Sequence, residues 1–206
     1  GGLIGDSALD ERNALRVLAY VGSRSNEQFL EVPIDNQLAA TSSGGVSSLD
    51  RNLSGAGVRW TTRQQLLDGP LTVSAGAEYD TSSEDRTGYI NNFGVIGALK
   101  RDETNDVDNL GVYLQGEWFF LPRWSVSAGV RYTKVDFTSA DRYIATGNPD
   151  DSGSTSYAEW TPTAGLLFKL TPALNLYASY GRSFETPTNI ELAYRPDGLS
   201  GLNFAL

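Results

Sequence analysis

The stretch LGVYLQGEWFFLPRWSVSAGVRY, Leu110 to Tyr132, decides the fold. It contains two runs joined by a turn at Leu121, Pro122 and Arg123, and each run alternates apolar and polar residues. One phase holds Leu110, Val112, Leu114, Trp118 and Phe120, then Trp124, Val126, Ala128, Val130 and Tyr132. The other holds Tyr113, Gln115 and Glu117, then Ser125, Ser127, Gly129, Arg131 and Thr133. Side chains of a helix return every ~3.6 residues and cannot keep these sets apart, whereas successive side chains of a strand point to opposite faces. The stretch therefore predicts a β-hairpin with one apolar and one polar face.

Aromatic residues mark the ends of the apolar phase. Trp118, Phe120 and Trp124 crowd the turn, Tyr132 closes the far end, and small aliphatics lie between. Eight strand steps of ~3.3 Å, reduced by a tilt of ~40°, span about 20 Å, close to the ~25 Å apolar band of an outer-membrane barrel between its aromatic girdles. The same spacing places Tyr79, Trp160, Phe168 and Tyr180 with Trp118, Phe120, Trp124 and Tyr132 in the expected lipid-facing girdle set. A soluble sandwich also alternates, and the loop pattern separates the two readings.

Composition narrows the function. At 206 residues one domain with a sizeable core is possible. The mean hydropathy of -0.29 and the lack of an apolar run near ~18 residues exclude a transmembrane helix but leave barrel strands open, since every second residue of those faces the lumen. Neither histidine nor cysteine is present, which removes the usual zinc, copper and haem ligands, disulfides, and the Ser/His and Cys/His nucleophile pairs. No cofactor, metal or enzymatic activity is expected. A net charge of -9 argues against nucleic acid, whose phosphates need clustered Lys and Arg. The start at Gly1 and Gly2, without a leader pattern, reads as a processed or excised piece.

Residues 1 to 12 give no assignment. Further strands are expected near Ala14 to Arg24, Leu53 to Leu66, Leu71 to Asp80, Tyr157 to Leu170 and Leu174 to Gly181. Long polar loops are expected over 25–52, 81–107 and 137–156. Short turns are expected at Asp68, Gly69 and Pro70, with Gly69 accepting positive φ, and at Thr171, Pro172 and Ala173. Long and short connections thus alternate, as in bacterial outer-membrane barrels with short periplasmic turns and long extracellular loops. Glu117, Arg131 and Lys169 all fall in the polar phase, as a lumen-facing wall requires. The fold class expected is all-β, an antiparallel up-and-down transmembrane β-barrel, here a partial barrel of about 7–8 strands. An open sheet has unpaired edges that hydrocarbon cannot satisfy, so the chain reads as part of a larger wall.

From Leu174 to Gly198 the run LNLYASYGRSFETPTNIELAYRPDG resembles the barrel of TonB-dependent outer-membrane receptors. In that family a strand ending Tyr-Gly-Arg is followed by Phe-Glu/Arg-Thr/Ala-Pro-Thr and a polar loop. The matching residues are Tyr180, Gly181, Arg182, Phe184, Glu185, Thr186, Pro187 and Thr188. GEWFFLPRWSVSAGVRYTKVDF, Gly116 to Phe137, is similar to hairpins of the same family. The resemblance covers the last hundred residues or so, and the remainder by architecture alone. It implies a barrel of about 22 strands around an N-terminal plug, in the outer membrane of a Gram-negative bacterium. Such a receptor imports ferric siderophores or a similar scarce nutrient and is driven by the TonB complex acting through the plug. Departures from the pattern are the absent plug, TonB box and terminal strands, so residues 1–206 read as part of the barrel domain of a larger receptor, with outer-membrane lipid as a partner.

The resemblance also implies ligand contacts on the upper inner wall and loops, for which Arg131, Tyr177 and Arg182 are the candidates. Arg offers a bidentate fork to carboxylate or catecholate oxygens, and Tyr a stacking surface. Arg131 could instead pair with Glu117 across adjacent strands, and Phe184 to Thr188 could hold the rim. The acids Asp102, Glu103, Asp106 and Asp108, and the pair Asp150 and Asp151, match no EF-hand spacing and read as solvated loops. Glu84 and Asp85 lack anything that would fix a glycosidase-like separation. Two other classes stay open: a small self-contained outer-membrane barrel with a structural or adhesive role, and a soluble all-β binding module.

Overall fold

In a computed structural model, which describes residues 1–193 and 201–205, the chain forms one antiparallel sheet. The strands are β1 (Gly2–Ala8), β2 (Asn13–Phe29), β3 (Val46–Leu66), β4 (Gly69–Asn92), β5 (Val95–Leu121), β6 (Trp124–Asp141), β7 (Gly153–Thr171) and β8 (Leu174–Gly181). They lie side by side in chain order, an eight-stranded up-and-down meander whose outer strands β1 and β8 do not pair with each other. Two short helices, α1 (Ile34–Leu38) and α2 (Asn189–Leu192), are the remaining regular elements. The expected all-β, partial-barrel architecture holds.

Register carries each phase across the middle of the sheet, with shifts confined to strand ends near Gly88 to Asn91, Trp118 to Leu121 and Lys169 to Thr171. Val112 faces Tyr132, which faces Trp160, while Leu114 faces Val130 and Val126 faces Leu166. The side chains of this face lie bare: Leu114 is 52% exposed, Leu166 42% and Leu176 52%. Among the described residues no second sheet covers them, and the sandwich alternative falls. The apolar cluster among the described residues is on the opposite, polar-phase face, where Val135, Phe137, Leu192 and Leu202 are buried together, with Val107, Tyr157 and Phe204 packed around them; Val46, at the start of β3, is buried apart from it.

The strands are much longer than the apolar pattern suggested. The loop expected over 81–107 is absent: β4 and β5 continue as a ladder and close at Phe93 and Gly94. The loop expected over 25–52 shrinks to 30–45, and that over 137–156 to 142–152. Backbone hydrogen bonds need no apolar side chains, so a ladder outlasts its greasy stripe, and the paired Ser, Thr, Asn and Asp residues conceal it. β1 escaped notice because Gly2, Gly5, Asp6 and Ser7 interrupt its alternation. It pairs with β2 from Gly2 opposite Tyr20 to Ala8 opposite Ala14.

Connections still sort by end. Residues 9–12, 67–68, 122–123 and 172–173 lie at one end, and 30–45, 93–94 and 142–152 at the other. At the first end Asp10 Oδ1 accepts the backbone N–H of Arg12 and of Asn13, both at 2.7 Å, closing an Asx turn. At the other, the buried Gln37 of α1 accepts the Asn91 N–H at 2.6 Å and donates to Val32 O at 2.6 Å, tying the 30–45 loop to β4.

The β3–β4 turn corrects one expectation. Positive φ falls on Leu67 (50°) and Asp68 (62°) rather than on Gly69. Gly69 is required for space, since a Cβ there would strike the Phe119 carbonyl. Phe93 (φ 51°) and Gly94 (φ 90°) make the equivalent turn between β4 and β5. Both central residues in the left-handed region identify the type I′ turn that matches hairpin twist. Phe93 is fully exposed, so its ring offsets none of the ~1 kcal/mol cost of that backbone. Phe93→Asn is expected to stabilise the hairpin tip by about that amount, read as slower amide hydrogen exchange from Asn91 to Ile96. Unchanged or faster exchange would contradict the turn geometry.

Candidate functional site

The polar-phase face is built from side chains that lean sideways over glycines. Tyr113 on β5 lies over Gly76 on β4, where a Cβ would stand 2.6 Å from the ring. Arg131 on β6 lies over Gly111 on β5, where a Cβ would overlap its guanidinium. Through that slot Arg131 Nη2 crosses β5 and reaches Glu78 Oε2 on β4 at 2.9 Å. Its Nε donates to Thr133 Oγ1 at 3.2 Å, and its guanidinium sits 5.7 Å from the Tyr113 ring centre, within cation–π range. The partner of Arg131 is thus Glu78 and not Glu117, whose carboxylate accepts only a long 3.4 Å bond from Ser125 Oγ.

Towards the end of the face with the longer connections, charge alternates across three strands. Arg51 donates from Nε to Glu84 at 2.7 Å, Arg86 lies 3.5 Å from Glu84 and 3.6 Å from Glu103, and Arg101 lies 3.0 Å from Glu103. Glu84 (5% exposed) and Glu103 (8%) are buried, which only such pairing permits. Glu84 therefore belongs to a wall network rather than to a carboxylate couple with Asp85, which points to the other face and meets Arg142 at 3.6 Å.

Strand alternation also splits the acid cluster of β5. Asp102, Asp106 and Asp108 share the apolar-phase face and Glu103 does not, so these side chains do not converge. Arg142 binds Asp102 at 2.7 Å, and its own ionisation is strengthened by Asp102 first and Asp85 second. The Ser152 hydroxyl first, and the Ser152 N–H at 2.9 Å second, hold the Asp150 carboxyl below the usual aspartate range.

After β8 the chain folds back over the polar face. Thr188 Oγ1 and N–H both donate to Glu191 Oε2, at 2.9 and 2.8 Å, and the Glu191 N–H returns to Thr188 Oγ1 at 3.3 Å. This is a capping box, which starts α2 and holds the Glu191 carboxyl below its ordinary range. It delivers Leu192, fully buried, onto Val107, Val135, Phe137 and Tyr157. Positions 194–198 of the quoted stretch lie outside the described residues.

The three candidate ligand residues do not share one place. Arg131 is in register with Thr161 on β7 but its guanidinium extends the other way, across β5 to Glu78 on β4, whereas Arg182 lies 3.5 Å from Glu159 on β7, so the two charged ends do not converge. Tyr177 faces Leu167, near the 172–173 turn at the opposite end from the longer connections, and not on the upper wall. On the apolar face the aromatics form two groups. Trp118, Phe120, Trp124 and Phe168 run in a chain with centroid separations of 5.6, 6.5 and 4.3 Å, and Tyr132 meets Trp160 at 5.0 Å. Trp118 Nε1 donates to Leu66 O at 2.9 Å and Tyr79 OH to Asp108 at 2.6 Å, so each amphipathic ring turns its polar atom to a partner. Tyr180 is the exception. It pairs with Ala164, midway between Phe168 and Trp160, and one strand at ~40° tilt shifts height by only about 3 Å. It sits within the apolar band and not at its rim.

Sequence reasoning missed Glu78, Gly111, Gly76, Arg51, Arg86, Gln37 and the capping box. Two signals were present: glycines standing in the polar phase beside long side chains, and Thr188 three residues before Glu191. Gly111→Ala is expected to displace Arg131 and remove its pairing with Glu78, a loss of at most about 1 kcal/mol for so exposed a pair. A double-mutant cycle with Glu78→Gln in urea unfolding checks this. Additivity within about 0.3 kcal/mol would show that the two positions are uncoupled.

Residues 7–205 match the family model described as TonB dependent receptor-like, beta-barrel. Among solved structures the chain is similar to the ferric citrate transporter FecA in its unliganded form (TM-score 0.71, 16% identity, 86% of this chain and 26% of that one). It is also similar to the siderophore receptor PiuA from Acinetobacter baumannii (0.66, 16%, 85% and 30%). A third is the open form of the ferric-catecholate import receptor Fiu from E. coli K12 (0.64, 12%, 90% and 35%). At these identities the likeness is one of fold, and the chain spans about a quarter to a third of the receptors it matches. The long antiparallel strands, their sorted connections and a family match over nearly the whole length make this chain a member of the TonB-dependent receptor family, within its β-barrel domain.

Proposed function

We propose that residues 1–206 form one arc of the barrel wall of a receptor in the outer membrane of a Gram-negative bacterium. The receptor captures a ferric siderophore or a similarly scarce anionic nutrient. The observation that carries this reading is the contrast between the two faces: bare aliphatics between aromatic clusters on one, buried ion pairs and leaning polar side chains on the other. A lipid-facing wall with a wet bore needs that arrangement. The open edges at β1 and β8 support a larger wall, because their backbone groups need partners in hydrocarbon. Coupling to the TonB complex would run through a plug region outside these residues.

Leu166→Arg in the full receptor is expected to destabilise the membrane-folded state by about 2–4 kcal/mol, whereas Gln115→Lys on the bore side should cost far less. Folding into lipid vesicles, followed by the heat-modifiable gel shift, reads the difference. Equal effects of the two changes would overturn the assignment of faces.

Ligand capture is assigned to Arg131 and Arg182, two separate guanidinium groups on the polar face at Glu78 and Glu159, with Tyr177 the least favourably placed of the three candidates. Loss of a charge-assisted hydrogen bond is worth about tenfold in affinity. Binding of ferric siderophores to the full receptor, with Arg131→Gln and Arg182→Gln, tests this. Unaltered affinity in the double variant for a siderophore that the parent binds would remove both residues from the ligand site.

A further inference from the structure

β8 ends at Gly181, level with Thr163, so the upper edge of β7 over 153–162 has no strand beside it among the described residues. At Arg182 the chain makes one last bond to the wall, from its N–H to Pro162 O at 3.1 Å, and then turns onto the polar face. It is fixed again at Leu192, fully buried with Val135 and Phe137 in a socket that Val107 and Tyr157 complete. That socket is an apolar island. The next row above it holds Asn105 opposite Ser139, and the next row below holds Thr133 opposite Glu159. A wall that faces water gains nothing from bare aliphatics, so the island marks where the returning chain belongs. Leu202 and Phe204 pack there as well, and the Asn203 N–H donates to Leu192 O at 2.5 Å. With only four residues α2 is too short to persist alone, so the capping box and the seating of Leu192 together fix its place.

Between the two anchors, Ser183, Phe184, Glu185, Thr186 and Pro187 make no hydrogen bond or ion pair among the described residues. The span's backbone groups, the hydroxyls of Ser183 and Thr186 and the exposed Glu185 carboxylate are all unengaged. Other carboxylates of this face are taken up by the wall itself, as Glu78, Glu84 and Glu103 are. A polar segment held at both ends and bonded to nothing between them is preorganised for an outside partner, which it can meet without first being ordered. Its height suits a ligand. The root at Arg182 lies beside Glu159, and from Arg131 to the socket at Val135 is four strand steps, about 13 Å at ~3.3 Å each, so the span stands just above both candidate arginines. A carboxylate accepts from N–H, O–H or ammonium groups and repels another carboxylate.

We propose that residues 183–187 are a ligand-recognition strap of the outer bore. Glu185 and Thr186 accept hydrogen bonds from amide, hydroxyl or ammonium groups on the periphery of the nutrient, and Leu192 is the positioning residue that holds the strap to the wall. This rests on the reading of the chain as receptor wall and deepens it: the arginines take the anionic part of the ligand and the strap its donor-bearing part.

The test uses the full-length receptor with ferric citrate, a ferric tricatecholate with amide linkers, and a ferric trihydroxamate with a free ammonium group as probes. For whichever amide or ammonium probe the parent binds, Glu185→Gln is expected to lower affinity about tenfold. Leu192→Asp should lower it at least as much, with Leu192→Met restoring it. This chain has no cysteine, so Val135→Cys reports on the socket once any cysteine elsewhere in the receptor is replaced by serine. A charged maleimide should label it at least tenfold faster when Leu192→Asp is added, while the heat-modifiable shift of the barrel stays unchanged. If Leu192→Asp prevents insertion, Leu192→Ala decides by the same two readouts. Parental affinity in Glu185→Gln overturns the proposal, as does parental affinity in a Leu192 variant whose socket is open. A socket that stays shielded in both Leu192 variants overturns it too, because the anchor then lies elsewhere. A parent that binds only ferric citrate, which carries no such donors, removes the strap and leaves the receptor reading intact. A parent that binds none of the probes removes both.

Discussion

Strand alternation under a register held through the apolar span governs everything else in this molecule. Because neighbours there are aligned residue for residue, with shifts only near the turns, the phase set in the Leu110 to Tyr132 hairpin is transmitted through Val58, Ala77, Val112, Tyr132 and Trp160. A slip of one residue within that span would exchange the faces of all strands beyond it. The sheet can leave aliphatics bare on one side because the other side gathers the buried charge and pairs it, although Asn105 Oδ1 and Asn109 Oδ1 are buried there without a hydrogen-bond partner among the described residues. Glu84 and Glu103 illustrate this, since they are buried where a lipid-facing carboxylate would be intolerable.

Glycine is what makes the polar face workable. Strands are only ~4.8 Å apart, too close for Tyr113, Arg131 and a full set of neighbours to stand upright together. Gly76 and Gly111 supply the room, so each long side chain lies across the next strand and meets a partner two strands away. The Arg131 to Glu78 pair is a tie across three strands rather than a local contact, and it braces β4 and β6 over β5. Ion pairing on so exposed a wall adds little energy. Its effect is to fix where the guanidinium points, and that orientation decides what the bore can present to an anion.

How much of this was legible in the sequence depends on which physical signal each feature uses. The hairpin at Leu110, the turns at 122–123 and 172–173, and the phases of Glu117, Arg131 and Lys169 were readable because apolar periodicity reports burial. The upper halves of β4 and β5 were not, because from Thr81 to Thr87 and from Lys100 to Asp106 both faces are polar and a backbone ladder leaves no compositional trace. Tyr177 was misplaced for a related reason: phase gives the face of a residue but not its height, which needs the position of the 172–173 turn. Arg131 was assigned the wrong partner because the glycine beneath it lets it skip a strand, and adjacency in register is the limit of what spacing can say.

The same distinction bears on the bore. Attractive pairs are satisfied within the wall wherever the wall can supply them, as along Arg51, Glu84, Arg86, Glu103 and Arg101. Like charges nevertheless meet in direct register, as at Arg16 with Arg59 and Arg24 with Arg51 on the polar face, and at Asp50 with Asp85 and Asp108 with Asp136 on the other. Mixed cross-strand pairs stabilise and matched ones do not, but none of these eight residues is buried. Water and salt weaken a matched pair there as they weaken an opposite one. Burial is therefore what forces pairing in this sheet: Glu84 and Glu103 must have their arginines, whereas charges left open to solvent follow the register wherever it puts them.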